Sequence, residues 1–154
     1  MHNVEAHVDI NVGAVITWRT AGDAGNIADW VPGLTISHLD GDVRHIEFES
    51  GGSAIERILR YDDEAQYYTF EFRQPSVHIE STLTVDGDNE ASTVRWTATV
   101  NTANPGDEKQ IADDIARLYH SALQRLRDRV ELGARTAHPL QSPAPCCGAR
   151  RRPD

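Results

Sequence analysis

The sequence predicts an α+β fold in which a curved antiparallel sheet of about seven strands wraps around one long C-terminal helix. Residues 34–101 consist of short alternating runs separated by turn signals, which is typical of an antiparallel meander. An amphipathic segment long enough for a substantial helix follows. Because a sheet with one solvated face must cover the other, and this helix is the only element of sufficient size, we expect the two to pack together with a pocket between them.

A strand and two short helices precede the meander. Alternating apolar and polar residues predict the first strand in "NVEAHVDI". The next segment, "NVGAVITWRTAGDAGNIADWVPG", fits two short helices between strands 1 and 2, separated by Asp23-Ala24-Gly25. Pro32-Gly33 ends the second helix directly after Trp30 and Val31.

The meander itself divides into six strands. Turn signals occur at Gly41-Asp42, at Gly51-Gly52, at residues 62–64, at Pro75 and at residues 86–91. The strands predicted between them are "LTISHLD", "VRHIEFES", "SAIERILRY", "QYYTFEFRQ", "VHIESTLTV" and "STVRWTATV".

The C-terminal helix is predicted over roughly Asp107 to Leu132. Acidic residues at its start suit the positive end of the helix dipole, and Gly133 is expected to end it. Its apolar stripe consists of Ile111, Ile115, Leu118, Ala122 and Leu126. We therefore predict one domain over residues 1–132 and a disordered Pro/Arg-rich tail over residues 133–154.

Charge and composition exclude several classes of function. The chain of 154 residues has a formal net charge of −9, and its tail is basic, so the folded part repels phosphate backbones and nucleic acid is not an expected partner. No apolar run is long enough to span a membrane, and the start "MHNVEAHVDI" lacks the features of a signal peptide, so we expect a cytoplasmic protein. Cys146 and Cys147 are adjacent within the tail and form neither a disulfide framework nor a metal motif.

Alternation along the strands predicts which side chains face the helix. In "VRHIEFES", Arg44 shares the inward face with Ile46 and Phe48. The inward residues of the last three strands are Tyr68, Phe70, Phe72, Ile79, Ser81, Leu83, Val85, Val94, Trp96, Ala98 and Val100. A mostly apolar set with a few polar members is found in small-molecule sites and also in packed cores, and periodicity alone favours a packed core.

The register of the strand "SAIERILRY" stays open. A two-residue turn at Gly51-Gly52 pairs Phe48 with Ile55 and places Arg57 inward, whereas a longer turn or a bulge places Glu56 inward.

Together these segments resemble the START/Bet v 1-like (SRPBCC) helix-grip superfamily, in particular its bacterial polyketide cyclase/dehydrase-type single domains. The resemblance covers residues 4 to about 132 and is carried by "VITWRTAGDAGNIADWVPGL", "GDVRHIEF", "AIERILRYDDE", "YYTFEF", "STVRWTATV" and the terminal helix. It implies an internal cavity between sheet and helix that holds a polyketide-like molecule, a lipid or another hydrophobic compound. It also implies that Arg44 and Glu56 are polar cavity residues, which favours the inward Glu56 register.

The resemblance and the inward pattern together give a set of candidate site residues. The catalytic candidates are Arg44, Glu56 and Tyr68. The ligand-binding candidates are Trp30, Ile46, Phe48, Phe70, Phe72, Ser81, Trp96, Leu118, Tyr119 and Ala122. An arginine in a low-dielectric cavity is a strong donor to a ligand oxygen, and Tyr68 or Tyr119 would move protons. The competing interpretation is a buried ion pair that only offsets its own desolvation.

Three functions are consistent with these residues. The first is a polyketide cyclase, aromatase or dehydratase that needs no cofactor and acts by orientation and carbonyl polarisation. The alternative is a non-enzymatic carrier or binding protein for a lipid or hydrophobic metabolite, and the third is a regulatory interaction protein. We expect no metal, because the seven histidines lack ligand spacing, and a monomer or weak homodimer.

Overall fold

The described part of the chain is one sheet and one long helix with two short helical segments between the first two strands. A computed structural model describes residues 1–141, so most of the predicted tail, including Cys146 and Cys147, lies outside the described residues. The elements are β1 His2–Ile10, α1 Ala14–Ala21, a 3₁₀ helix Ala24–Asp29, β2 Leu34–Asp40, β3 Val43–Phe48, β4 Ser53–Asp62, β5 Tyr67–Gln74, β6 Val77–Gly87, β7 Ser92–Thr102 and α2 Pro105–Gln141. The predicted α+β helix-grip fold is confirmed.

The seven strands form a single antiparallel sheet in the order β1-β7-β6-β5-β4-β3-β2. From β2 to β7 each strand pairs with its neighbour in sequence, as expected for a meander joined by short turns. The first strand pairs with the last, from His2 opposite Val100 to Ile10 opposite Ser92. Strand β2 is therefore left at one edge, next to the 3₁₀ helix.

The turn between β3 and β4 sets the register that the sequence left open. Gly51 and Gly52 both have a φ of 90°, a conformation that glycine adopts without steric cost. The loop runs from Phe48 to Gly52, and Glu47 pairs with Ser53. Arg44 consequently lies directly opposite Glu56, and both side chains face inward.

The core follows the alternation predicted from the strands. Along β7 the residues Val94, Trp96, Ala98 and Val100 are buried, and the residues between them are only partly so. On β5 and β6 the same pattern buries Tyr68, Phe70, Ser81, Leu83 and Val85. Burial of one continuous inner face is what fixes the register of an antiparallel sheet.

Helix α2 extends farther than the sequence predicted. It begins at Pro105, where the Asn104 side chain accepts a hydrogen bond from the Gly106 N–H, and it continues to Gln141. The predicted end at Gly133 is wrong, because an exposed glycine costs a helix only about 1 kcal/mol and the helix continues through it. None of the helices within residues 1–141 has the length and apolar character that a membrane crossing needs.

The buried face of α2 is turned slightly from the predicted stripe. Its most buried residues are Ala112, Tyr119, Ala122, Leu123, Leu126 and Val130, whereas Leu118 is 38% exposed. This face packs against β1 and β7. On the other side of the helix, towards β3, β4 and β5, a cavity remains.

Candidate functional site: an apolar cavity with a buried ion pair

The cavity lies between the inner face of the sheet and the middle of α2 and has a volume of about 290 Å³. This volume is at the lower end of the roughly 300–1,000 Å³ usual for small-molecule sites. Its wall is formed by Ile27, Val31, Leu34, Arg44, Ile46, Phe48, Ser53, Ala54, Glu56, Phe70, Phe72, Ile79, Trp96, Ile115, Leu118 and Tyr119. Most of these side chains are apolar, so the few polar groups stand out.

Aromatic packing closes one side of the cavity, and exposed side chains mark its rim. The rings of Trp96 and Tyr119 are stacked with centroids 3.8 Å apart and planes 4° from parallel, which ties β7 to α2. Phe48 and Leu118 are 37% and 38% exposed although both line the cavity. A ligand would therefore enter between the end of β3 and α2.

Arg44 is the most deeply buried polar group of the wall, and it holds Glu56 beside it. Its Nε donates to Glu56 Oε1 at 2.8 Å, and Nη1 donates to the Ala24 carbonyl and to the Tyr68 hydroxyl, both at 3.0 Å. The guanidinium carbon lies 4.4 Å from the centre of the Phe70 ring, a cation–π distance. Burial disfavours the Arg44 cation, but the contacts with Tyr68 and Glu56 outweigh this and raise its pKa above the usual value.

Two polar groups of this pair remain without a hydrogen-bond partner. Arg44 Nη2 lies 2.7 Å from Glu56 Oε1, an ion contact, yet within the described residues its N–H groups make no hydrogen bond of suitable geometry. Glu56 uses only Oε1 towards Arg44, and no described residue donates to its Oε2. The Arg44 side chain is fully buried and that of Glu56 is 15% exposed. Buried polar groups are normally paired, so the unpaired Arg44 Nη2 is a feature to explain, whereas Glu56 Oε2 keeps accessible surface.

A second polar network, centred on Ser81, is closed. Ser81 Oγ accepts from Trp96 Nε1 at 2.7 Å and donates to the Thr97 carbonyl at 3.0 Å. Because the single Ser81 proton goes to a carbonyl that can only accept, the Tyr119 hydroxyl, 2.9 Å away, is the donor to Ser81. Burial raises the pKa of the Tyr119 hydroxyl, which keeps it protonated in this role.

The structure places seven of the ten ligand-binding candidates on the cavity wall: Ile46, Phe48, Phe70, Phe72, Trp96, Leu118 and Tyr119. Arg44 and Glu56 are on the wall as well. Trp30, Tyr68, Ser81 and Ala122 are buried in the layer behind it and do not line the cavity. Tyr68 supports Arg44 from behind, and burial raises the pKa of its hydroxyl.

Trp30, one of the ligand-binding candidates, is only 1% exposed and packs against Trp96, with ring centroids 5.5 Å apart. The residues of this segment that reach the wall are Ile27 and Val31. The cause is local: the 3₁₀ helix is kinked at Asn26, with φ −118° and ψ 34°, which breaks the spacing that a regular helix would give. The Trp30 indole N–H has no hydrogen-bond acceptor within the described residues.

Other wall residues were not among the candidates. The sequence could have identified Ile79 and Ile115, since both lie on predicted inward faces. Alternation is weak at strand ends, where the wall residues Leu34, Ser53 and Ala54 lie.

A larger recess of about 590 Å³ lies near Tyr61, Leu39 and Leu59. It is a broad depression that is more open than the cavity, and the Tyr61 hydroxyl is already bonded to the Gly22 carbonyl, so we assign the site to the cavity between the sheet and α2.

Residues 1–131 match the model of a protein family described as polyketide cyclase / dehydrase and lipid transport. The chain belongs to this family. Membership supports a protein that binds a hydrophobic small molecule. A search of curated proteins by sequence gave no match.

Solved structures with this fold come from several bacteria. The protein XoxI from Bacillus cereus is 24% identical with a TM-score of 0.77, over 84% of this chain and 96% of that one. The Zhui aromatase/cyclase from Streptomyces sp. R1128 is 16% identical with a TM-score of 0.73, over 88% and 97%. A START superfamily protein from Mycobacterium smegmatis is 13% identical with a TM-score of 0.72, over 86% and 99%. At these identities the similarity establishes the fold.

Proposed function

We propose that the cavity binds a compact hydrophobic molecule with a polyketide-like or fused-ring skeleton, and that the protein acts on it as a cyclase, aromatase or dehydratase. The observation that carries the proposal is the Arg44–Glu56 pair on the wall of an otherwise apolar cavity, with an N–H and a carboxylate oxygen unused. The family description and the aromatase/cyclase title of one structural neighbour support the same reaction class.

The unused groups are those that enolisation of a ketone requires. A carbonyl oxygen accepting from Arg44 Nη2 would be polarised by a cation in a low-dielectric site. Glu56 Oε2 would take the proton from the neighbouring carbon, becoming a neutral carboxylic acid while the enolate oxygen keeps its hydrogen bond to Arg44. The apolar wall excludes water and fixes the reacting chain, and the enolate carbon would then attack a second carbonyl of the same molecule. The alkoxide formed in this attack would take the proton back from Glu56, which returns to its carboxylate form.

The tyrosines have supporting roles in this proposal. The Tyr119 proton is committed to Ser81, and Tyr68 lies behind Arg44 and accepts a hydrogen bond from it. Neither hydroxyl is directed at the cavity as a free proton donor. We therefore assign the proton transfer to Glu56 and treat Tyr68 as a positioning residue for Arg44.

Binding is tested with naphthalene and anthracene. Either ligand should occupy the cavity at a ratio of one to one and quench Trp fluorescence, because Trp96 lines the wall. The variant Ala54→Phe fills the cavity and should abolish binding, whereas Ala65→Phe on an exposed turn should not. Equal binding by both variants would contradict the assignment of the cavity.

Chemistry is tested with 2-tetralone, a bicyclic ketone with acidic protons beside its carbonyl. The protein should accelerate exchange of these protons for deuterium in D₂O, followed by NMR, and Glu56→Gln should lose the acceleration while Glu80→Gln on the exposed outer face keeps it. Binding of 2-tetralone without any acceleration would support the second candidate function, a carrier. That alternative is favoured by the closed Ser81 network, in which the Ser81 and Tyr119 hydroxyls are already bonded to each other and to the Thr97 carbonyl.

A further inference from the structure

We propose that Glu56 makes the cavity selective for neutral ring systems that carry a hydroxyl group and selective against carboxylates. The inference rests on the proposed function, because it concerns the ligand of the same cavity. It specifies the chemical group that the ligand carries at the end lying deep in the cavity. It also names Glu56 as the side chain that selects for this group.

The charge of the cavity is the first argument. Among the described residues of the wall, Arg44 is the only cation and Glu56 the only anion, and the two are in direct contact. The wall is therefore electrically neutral before any ligand enters. A ligand carboxylate would bring an uncompensated negative charge into a mostly apolar space and place it beside Glu56, which is unfavourable on both counts.

Two atoms of the ion pair, Glu56 Oε2 and Arg44 Nη2, also favour a ligand hydroxyl. Glu56 Oε2 keeps accessible surface and receives no hydrogen bond from a described residue, and Arg44 Nη2 is buried with no acceptor among those residues. The two groups are neighbours, since Nη2 lies 2.7 Å from the other oxygen of the same carboxylate. A hydroxyl group both donates and accepts, so one phenolic or enolic O–H satisfies Oε2 and Nη2 together.

The rest of the wall offers no competing partner deep in the cavity. Tyr119 has its hydroxyl proton on Ser81. Ser53 is exposed near the rim, at the start of β4. The orientation of the ligand is therefore set by the Arg44–Glu56 pair, with the hydroxyl inward and the apolar rings towards Phe48 and Leu118.

Four ligands of one size test this selection on the unmodified protein: 2-naphthol, 2-methoxynaphthalene, naphthalene and 2-naphthoate. We expect 2-naphthol to bind about tenfold more tightly than naphthalene, as for a hydrogen bond to a charged group. The methoxy compound, which only accepts, should bind similarly to naphthalene, and 2-naphthoate should bind most weakly. Affinities are measured by fluorescence titration at pH 7, where 2-naphthol is neutral and 2-naphthoate is charged.

The variant Glu56→Gln should reverse the order of the two polar ligands. It leaves Arg44 as an uncompensated cation, so 2-naphthoate should gain affinity and 2-naphthol should lose its advantage. Glu80→Gln changes the net charge equally but lies on the outer face and should leave the order unchanged. If Glu56→Gln fails to fold, the order of the four ligand affinities on the unmodified protein still tests the proposed selectivity.

The outcomes separate this inference from the proposed function. Binding of naphthalene with no discrimination among the four ligands overturns the selectivity and leaves the hydrophobic site in place. Tight binding of 2-naphthoate to the unmodified protein likewise overturns the role of Glu56. If none of the four ligands binds, both the proposed function and this inference are wrong.

Discussion

The Arg44 and Ser81 networks are both buried against the same cavity, yet they differ in what they leave unpaired. Around Ser81, the indole of Trp96, the hydroxyl of Tyr119 and the carbonyl of Thr97 satisfy one another. Around Arg44, Nε and Nη1 donate to Glu56 Oε1, the Ala24 carbonyl and the Tyr68 hydroxyl, but Nη2 and Glu56 Oε2 have no hydrogen-bond partner among the described residues. The first network fixes the position of α2 on the sheet, and the second presents hydrogen-bonding capacity to the cavity.

This difference gives a physical criterion for dividing the candidate residues. A network in which every polar group is hydrogen-bonded stabilises the folded protein without any ligand. A buried unpaired group such as Arg44 Nη2 costs stability, because it loses its hydration without gaining a hydrogen bond. Residues of the Ser81 network should therefore affect folding, whereas Arg44 and Glu56 should affect both folding and ligand selection.

The largest effect is expected from Arg44→Ala. It leaves Glu56 without its cation and removes the partner of Tyr68 and Ala24, so the free energy of unfolding should fall by about 3 kcal/mol. Urea denaturation measures this. The double variant Arg44→Met/Glu56→Leu removes both charges and should recover most of the loss. A double variant as unstable as Arg44→Ala would show that the charges themselves hold this region together.

Ser81→Ala should cost somewhat less, about 2 kcal/mol, because Trp96 Nε1 and the Tyr119 hydroxyl lose their acceptor inside the core. Its affinity for 2-naphthol should stay within about twofold of the unmodified protein, since Ser81 does not line the cavity. A fall in affinity as large as that of Glu56→Gln would remove the distinction between the two networks.

Tyr119→Phe should have a smaller effect, about 1 kcal/mol, because Ser81 keeps its bonds to Trp96 and Thr97 and the ring stack on Trp96 is retained. Deuterium exchange of 2-tetralone should continue at the unmodified rate. Loss of exchange in this variant, with stability preserved, would mean that Tyr119 moves protons after all.

The smallest effect concerns a carboxylate outside both networks. Hydrogen bonds from the N-terminal ammonium and from His2 lower the pKa of Glu108 to about 2, from an ordinary value of 4.5. Because the folded pKa is depressed, this contribution to stability is present above pH 4.5 and is lost as the pH falls towards 2. Glu108→Gln should thus have a lower melting temperature than the unmodified protein at pH 7, with the gap closing on acidification. A difference in melting temperature that does not change with pH would contradict the proposed link between the protonation of Glu108 and stability.

Sequence patterns predicted the sheet well but the site only in part. Strict alternation along β7 fixed Trp96 inward, because a strand has only two faces. The inward position of Glu56 depended on the length of a glycine-containing loop, which alternation does not specify. The position of Trp30 depended on a kink in a 3₁₀ helix.

The closure of the Ser81 network was beyond sequence reasoning. It requires side chains from β6, β7 and α2 to meet at one oxygen, and the direction of each depends on how the elements pack. The end of α2 was missed because Gly133 was treated as a stop signal, although glycine is only a weak one. Local periodicity thus predicts faces, while contacts between elements decide which polar groups remain free.

The central claim is that the Arg44–Glu56 pair, and not the Ser81 network, meets the ligand. A crystal structure of the protein with 2-naphthol tests this most directly. We expect the naphthol rings to lie between β5 and α2, with the hydroxyl oxygen about 3 Å from Glu56 Oε2. A naphthol bound in the outer recess near Tyr61, or with its hydroxyl towards the rim and away from Glu56, would contradict it.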